Sequence, residues 1–279
     1  MEWRPGYWEW APPPELGGSV ACLWARVIPP GDGGTPATPV LPDACCDLIW
    51  QSGRGAFVAG PDTRPWYSSL PAGTALAGVR LRPGAGGPAL GLPLSALLDQ
   101  RVGVCDLGTG FGARLGRSLV PGLAPAEALR LLAREVAGEI LDRPADPLVS
   151  EAARLLGRPR AEVGAVAARL GVGERQLLRR CRAAAGYGPA TLRRVLRFRR
   201  FVTRVDTGHG RLGTPGAPGG MGPDGRGRMG GPDGMDGPDL AWLAAETGYA
   251  DQAHLTRECV RLAGLPPAAL AAQRRPSAA

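Results

Sequence analysis

The chain has 279 residues, 44% of them hydrophobic, which is enough for two domains that each bury a core. It carries a net charge of +8 and every basic residue is arginine. No apolar run approaches the roughly 18–20 residues of a membrane span, and the start Met1-Glu2-Trp3-Arg4-Pro5 lacks the layout of a secretory signal, so a cytoplasmic protein with no membrane partner is expected. Six cysteines without CxxC spacing, and only two histidines, His209 and His254, argue against a disulfide scaffold, a zinc site or a hydrolase triad in the first half; no cofactor or metal is expected.

In chain order, residues 1–110 read as β-rich. Ser19–Ile28 is a strand candidate bounded by Gly17-Gly18 and Pro29-Pro30-Gly31. Cys46–Trp50, Ala56–Ala59 and Leu76–Leu81 are further candidates between Gly/Pro/Asp turns, and a short helix is expected over Leu94–Gln100. Ala126–Leu141 has apolar residues at helical spacing (Ala128, Leu129, Leu132, Val136, Ile140), introduced by Pro125. Asp142-Arg143-Pro144-Ala145-Asp146-Pro147 breaks that pattern and marks a domain boundary, giving domains 1–142 and 146–273. Helical pattern then runs to about Val205. Residues 206–238 hold 13 Gly and 5 Pro and cannot bury enough surface to offset chain entropy, so a flexible insertion is expected there. Helical pattern resumes at Asp239.

Charge is unevenly spread. Residues 1–142 hold 11 Arg against 13 acids (net −2), 151–205 hold 14 Arg against Glu151, Glu162 and Glu174 (net +11), and 206–279 hold 7 Arg against 8 acids (net −1). One stretch therefore carries the basicity, as contact with phosphates requires.

The strongest signal is an internal repeat. Ala167–Gly171 echoes Ala244–Gly248 at an offset of 77, and Leu177–Cys181 echoes Leu255–Cys259 at 78, so the second turn is one residue longer. Each copy reads as a short helix (Val163–Leu170; Leu240–Thr247), a glycine stop, a turn, and a second helix starting at Gly173 or Asp251. Leu177 with Cys181, and Leu255 with Cys259, point inward, leaving Arg175 and Arg179, or Gln252, Thr256 and Arg257, outward. That is helix-turn-helix geometry, and arginine and glutamine are the side chains that pair with guanine and adenine edges. A purely structural pair of helical hairpins is the weaker alternative.

VAARLGVGERQLLRRCRAAAGYGPATLRRVLRFRRF (Val166–Phe201) resembles the first helix-turn-helix motif of the AraC/XylS family of transcription regulators. LAAETGYADQAHLTRECVRLAGLPPAAL (Leu243–Leu270) resembles the second, with Gly248-Tyr249, Arg257 and Gly264-x-Pro266-Pro267. The resemblance implies an α+β chain: a β-rich domain followed by an all-α double helix-turn-helix domain, with the first unit at 163–186, a linker helix at 189–205 and the second unit at 240–264. It implies two recognition helices in successive major grooves of double-stranded DNA. Arg175, Leu178 and Arg179 would face bases in the first, and Gln252, Ala253, Thr256 and Arg257 in the second; Gln176, Arg193, Arg197, Asp251 and His254 would reach phosphates.

Two departures stand out. Cys181, Leu255 and Cys259 occupy positions where the family usually has Phe, and the 206–238 insertion replaces a connection of a few residues. The insertion either lets the second unit dock loosely or bulges out as an inert loop, and the bulge is the favoured reading. Arg193, Arg197, Arg200 and Arg204 lie at i, i+4, i+7, i+11 along the linker helix, as a phosphate-facing stripe or as a solvated face; both readings stay open.

Val40–Trp50, Val58–Thr63 and Gly78–Ala85 are similar to segments that precede this unit in uncharacterised regulators. That implies a small, cupin-like β-domain serving a small-molecule effector or homodimerisation. Asp43 and Asp47 beside Cys45-Cys46 suggest a sensor or a metal site, though a turn next to buried thiols is the stronger reading. Trp24, Trp50 and Trp66 are expected as core rather than a shared pocket. A non-enzymatic, sequence-specific transcription regulator is expected. The alternatives are an enzyme or ligand-binding domain fused to a DNA-targeting module, and a degenerate non-binding scaffold.

Overall fold

The computed structural model describes residues 4–31, 38–208 and 240–274. Beyond Gly208, the Gly/Pro-rich insertion lies outside the described residues.

The first half contains eight strands: β1 (Gly6–Trp10), β2 (Val20–Val27), β3 (Thr38–Val40), β4 (Cys46–Gln51), β5 (Gly55–Ala59), β6 (Trp66–Ser68), β7 (Ala75–Leu81) and β8 (Arg101–Gly103). Six form an antiparallel sheet in the order β1-β2-β7-β4-β5-β8, and β3 pairs with β6 in a separate ribbon. Three short helices follow: α1 (Gly86–Leu90), α2 (Gly110–Ser118) and the longer α3 (Pro125–Asp142).

Side chains alternate across the sheet, so each face buries its own set. Leu48, Trp50, Val58, Ala77, Val79 and Leu81 form one core with Ala128, Leu132, Val136 and Ile140 of α3. Trp24, Ile49, Phe57, Leu70 and Leu76 fill the opposite face. The four strand candidates and the α3 helix are thus present within a residue or two of their expected limits. The helix expected over Leu94–Gln100 shrinks to a 3-10 turn at Leu94–Leu97, because Asp99 adopts a left-handed φ of 57° that no helix continues through. β1, β3, β6, β8, α1 and α2 carry too few alternating apolar residues to be read from sequence.

The second half is all helical: α4 (Pro147–Leu156), α5 (Val163–Arg169), α6 (Glu174–Ala185), α7 (Pro189–Gly208), α8 (Leu240–Thr247), α9 (Gln252–Ala263) and α10 (Pro267–Gln273). The linker helix α7 runs three residues past the expected Val205. Its Leu192, Val195, Phe198, Phe201 and Val205 are buried at the centre of a core shared by both helix-turn-helix units. The chain is therefore α+β, an antiparallel sheet domain followed by a helical one.

The halves are packed on each other. Asp146 caps α4 by accepting from the Val149 amide at 3.0 Å, and also accepts from Arg180 of α6 at 2.8 and 2.6 Å. The buried Tyr187 hydroxyl donates to the Asp62 carbonyl at 2.7 Å. Gly87 of α1 approaches α6 so closely that a Cβ there would stand 2.2 Å from the Ala183 carbonyl oxygen. The Pro61–Tyr67 segment after β5 also reaches the second unit, since a Cβ on Gly264 would stand 2.9 Å from the Tyr67 hydroxyl.

Candidate nucleic-acid interface

α5 and α6, and again α8 and α9, are the two helices of each repeat copy. The first helix of each pair stops where Gly171 (φ 67°) and Gly248 (φ 88°) adopt the left-handed conformation that L side chains resist. α6 starts after Gly173, which offers no side-chain cap; α9 starts after Asp251, whose Oδ1 accepts from the His254 amide at 2.6 Å. Leu177, Cys181, Leu255 and Cys259 are all fully buried. Burial pushes the Cys181 thiol up to about 11 and the Cys259 thiol to about 12, so both stay protonated and behave as small hydrophobes. Where the resembled family uses phenylalanine, these helices approach over smaller side chains, and the aromatic bulk sits on α7 instead at Phe198 and Phe201.

With those residues inward, the opposite face of each second helix is left to solvent. Arg175, Gln176 and Arg179 of α6 are exposed and Leu178 is half-buried. On α9, Gln252, Ala253 and Arg257 are exposed, while Thr256 is half-buried with its hydroxyl donating to the Gln252 carbonyl at 2.9 Å. The structure thus brings the proposed base-facing residues together on one face of each helix, in two separate clusters.

The arginine stripe of α7 has a different destination from either expected reading. Arg197 donates to Glu258 Oε2 at 2.8 Å and lies 4.6 Å from the Tyr249 ring centroid. Arg194 pairs with Glu258 Oε1 at 2.9 Å, Arg200 donates to the Thr247 carbonyl at 2.9 Å, and Arg204 pairs with Glu246 at 2.5 Å. Arg193 turns to the first unit, donating to the Ala161 carbonyl at 2.9 Å. Arg197, expected at a phosphate, has its guanidinium against Glu258 and over the Tyr249 ring, with the side chain 15% exposed. Replacing Arg197 with alanine should lower the thermal midpoint while leaving the salt dependence of DNA binding unchanged; a slope reduced by about one would restore the phosphate contact.

The second unit is docked on α7 through an ion-pair ladder and a common core; the insertion itself, beyond Gly208, lies outside the described residues. Sequence reasoning missed Glu258, Glu246 and Arg194. The available signal was Glu258, an acid three residues after the core Leu255 and next to the core Cys259, a flank that faces a packed neighbour rather than water.

His254 packs edge-on against Tyr249 at 5.3 Å, with Nδ1 facing the Ala250 amide at 3.3 Å and Nε2 facing Arg197 at 3.3 Å. Burial first, and then the Arg197 charge, lowers its pKa below the ordinary 6.5. Above that value the ring is neutral folded or unfolded; below it the unfolded chain takes a proton that the folded chain resists. Stability should therefore fall as pH drops below 6.5. His254→Gln should flatten this component in melts across that range, and parallel curves for the two proteins would refute it.

The charge left for an external anion is concentrated on the first unit. Arg180 and Arg204 each pair with one acid and Arg194 and Arg197 share Glu258, whereas Arg169, Arg175, Arg179 and Arg182 are exposed and form no ion pair among the described residues. On α9, Arg257 and Arg261 sit on the same helix as the capping Asp251.

In the first half, Asp43 accepts from the Cys45 amide at 2.8 Å, the turn expected of it. Cys45 and Cys46 are buried and their thiols are pushed well up by that burial, which leaves them unreactive. Burial raises the Asp47 carboxyl above its usual range against the pull of Arg80, which contacts it at 3.2 Å; Trp24 Nε1 donates to it at 2.7 Å. Trp24 and Trp50 are core on opposite sheet faces and Trp66 is 43% exposed, so the three share no pocket. A mostly apolar cavity of about 230 Å³ lies between the sheet and α3, lined by residues including Leu16, Leu23, Val79, Val136 and Ala137. Among the described residues, no cluster of three or more His, Cys, Asp or Glu is placed to hold a metal ion, and no helix is long and apolar enough to cross a membrane.

The helical half is thus a tandem pair of helix-turn-helix units mounted on one linker helix. Residues 9–103 match a family described as "Domain of unknown function (DUF6597)". No curated protein matches the chain. Among solved structures, the chain is similar to ToxT from Vibrio cholerae at 10% identity, covering 89% of this chain and 97% of that one with a TM-score of 0.39. A second ToxT structure gives 10% identity, 89% and 96% coverage and a TM-score of 0.41. That degree of overlap carries no functional argument, and the reading below rests on this chain's own residues.

Proposed function

We propose that the protein is a DNA-binding transcription regulator of the AraC/XylS type, with domain 1–142 acting on a DNA-binding domain at 146–273. The observation that carries this reading is the pair of exposed clusters, Arg175/Arg179 on α6 and Gln252/Arg257 on α9, on two like helix-turn-helix units. Each recognition helix enters a major groove, where arginine offers a bidentate fork to guanine and glutamine does the same for adenine. Arg175, Leu178 and Arg179 face the bases in the first groove; Gln252, Ala253, Thr256 and Arg257 face them in the second. Gln176 and Arg193, with Asp251 and His254 at the start of α9, are the proposed phosphate contacts.

The first domain is the seat of control by a small effector or by pairing with a second copy. The space beside α3, about 230 Å³ and mostly apolar in its lining, falls below the usual ~300–1,000 Å³ of ligand sites and would admit only a small effector. Activity as a non-enzymatic regulator in the cytoplasm completes the reading. A gel shift with the promoter of its own gene, run across salt concentrations, tests it. Binding that weakens steeply with salt and resists non-specific competitor supports the proposal. No binding to that or neighbouring promoters at low salt would leave a non-binding scaffold.

A further inference from the structure

Thirty-one residues lie between the end of α7 at Gly208 and the start of α8 at Leu240, and within the described residues α9 is held against α7 by side-chain contacts. Glu258 makes the most concentrated of these. It is 8% exposed, and its two carboxylate oxygens accept from Arg194 at 2.9 Å and Arg197 at 2.8 Å, two guanidiniums three residues apart on α7. A carboxylate gripped from two points resists both sliding and rotation of its helix. Thr256 and Arg257, adjacent to Glu258 on α9, belong to the outward cluster, so turning α9 about its axis would swing them away together.

We propose that Glu258 is a positioning residue for DNA recognition: held by Arg194 and Arg197, it fixes the rotation and offset of α9 relative to α6, so that the two base-reading clusters fit one half-site separation only. This rests on the DNA-binding reading above. The neighbours of the ion pair reinforce the arrangement: buried Tyr249 lies against Arg197 at 4.6 Å, and the half-buried His254 faces the same guanidinium.

The test uses the full chain and a duplex recovered by selection from a randomised pool, together with derivatives carrying one or two extra base pairs between the two recognised blocks. The wild-type protein should bind the spaced derivatives about 10- to 100-fold more weakly, the range expected when one set of base contacts is lost. Glu258→Gln keeps the shape and removes the charge; it should bind the original and spaced duplexes with affinities within about threefold of each other, and its contact with the first block should be unchanged in footprinting. Glu258→Asp should recover part of the discrimination. If Glu258→Gln loses helical circular dichroism, Arg194→Gln, which keeps the Arg197 pair, takes its place and should relax spacing partially. Full spacing discrimination in a folded Glu258→Gln or Arg194→Gln protein overturns the inference alone. A wild-type chain that selects no duplex overturns the DNA-binding reading and this inference with it.

Discussion

Replacing Arg175 and Arg179 together with alanine should weaken binding to the chain's selected duplex by about a hundredfold or more, since each well-formed bidentate base contact contributes roughly 1–3 kcal/mol. The effect should exceed that of replacing Gln252 and Arg257. The physical reason is where uncompensated positive charge remains. On its linker-helix side the +11 stretch is partly balanced, where Arg194 and Arg197 share Glu258 and Arg204 meets Glu246. On its α5–α6 side, Arg169, Arg175, Arg179 and Arg182 remain exposed. The second unit uses Glu246 and Glu258 in docking and keeps the capping Asp251 at the N-terminal end of α9. It should contribute sequence preference more than affinity. Titrations of both double variants against matched and mismatched duplexes decide the matter, and a larger loss from the Gln252/Arg257 pair would reverse the division.

Placing valine at Gly87 should separate the two halves of the molecule. The Cβ alone would stand 2.2 Å from the Ala183 carbonyl and 3.0 Å from the Ala184 Cα, both backbone atoms of α6 that cannot rotate out of the way. Overpacking at such a point costs about 1–3 kcal/mol. Because the obstructed helix is the proposed first recognition helix, the change should also alter DNA affinity. Calorimetry should show a lowered midpoint or two resolved transitions. Gly138→Val in the exposed face of α3, where an added Cβ meets nothing within 4 Å, is the matched control. Equal melting of the two variants would show that this contact does not hold the halves together.

Much of this architecture is legible in the residues. The repeat at offsets of 77 and 78 places both helix-turn-helix units, because inward leucine and cysteine four apart and a glycine stop are local requirements. The strands β2, β4, β5 and β7 are legible because each buries enough apolar side chains to show its alternation. The edge strands are not, since β1 is almost wholly exposed and β8 is only half-buried, so their pairing comes from backbone hydrogen bonds to neighbours far along the chain. The outward residues of α6 and α9 follow from the same helical period. The fate of the α7 arginines does not, because spacing says which residues share a face and nothing about what that face meets.

By itself, then, the sequence determined the units and their polarity: two helical hairpins with basic and amide side chains outward, behind a β-rich domain. Those features depend on interactions within about a helical turn or across alternating residues, which sequence records directly. Only the tertiary structure decided how the units are joined. The docking of Glu258 between Arg194 and Arg197, the bond from Tyr187 to the Asp62 carbonyl, and the close contact of Gly87 with Ala183 link residues from 61 to 125 positions apart. Such pairings are chosen by which charged or small side chains come face to face once the cores have formed, and no local pattern encodes that choice.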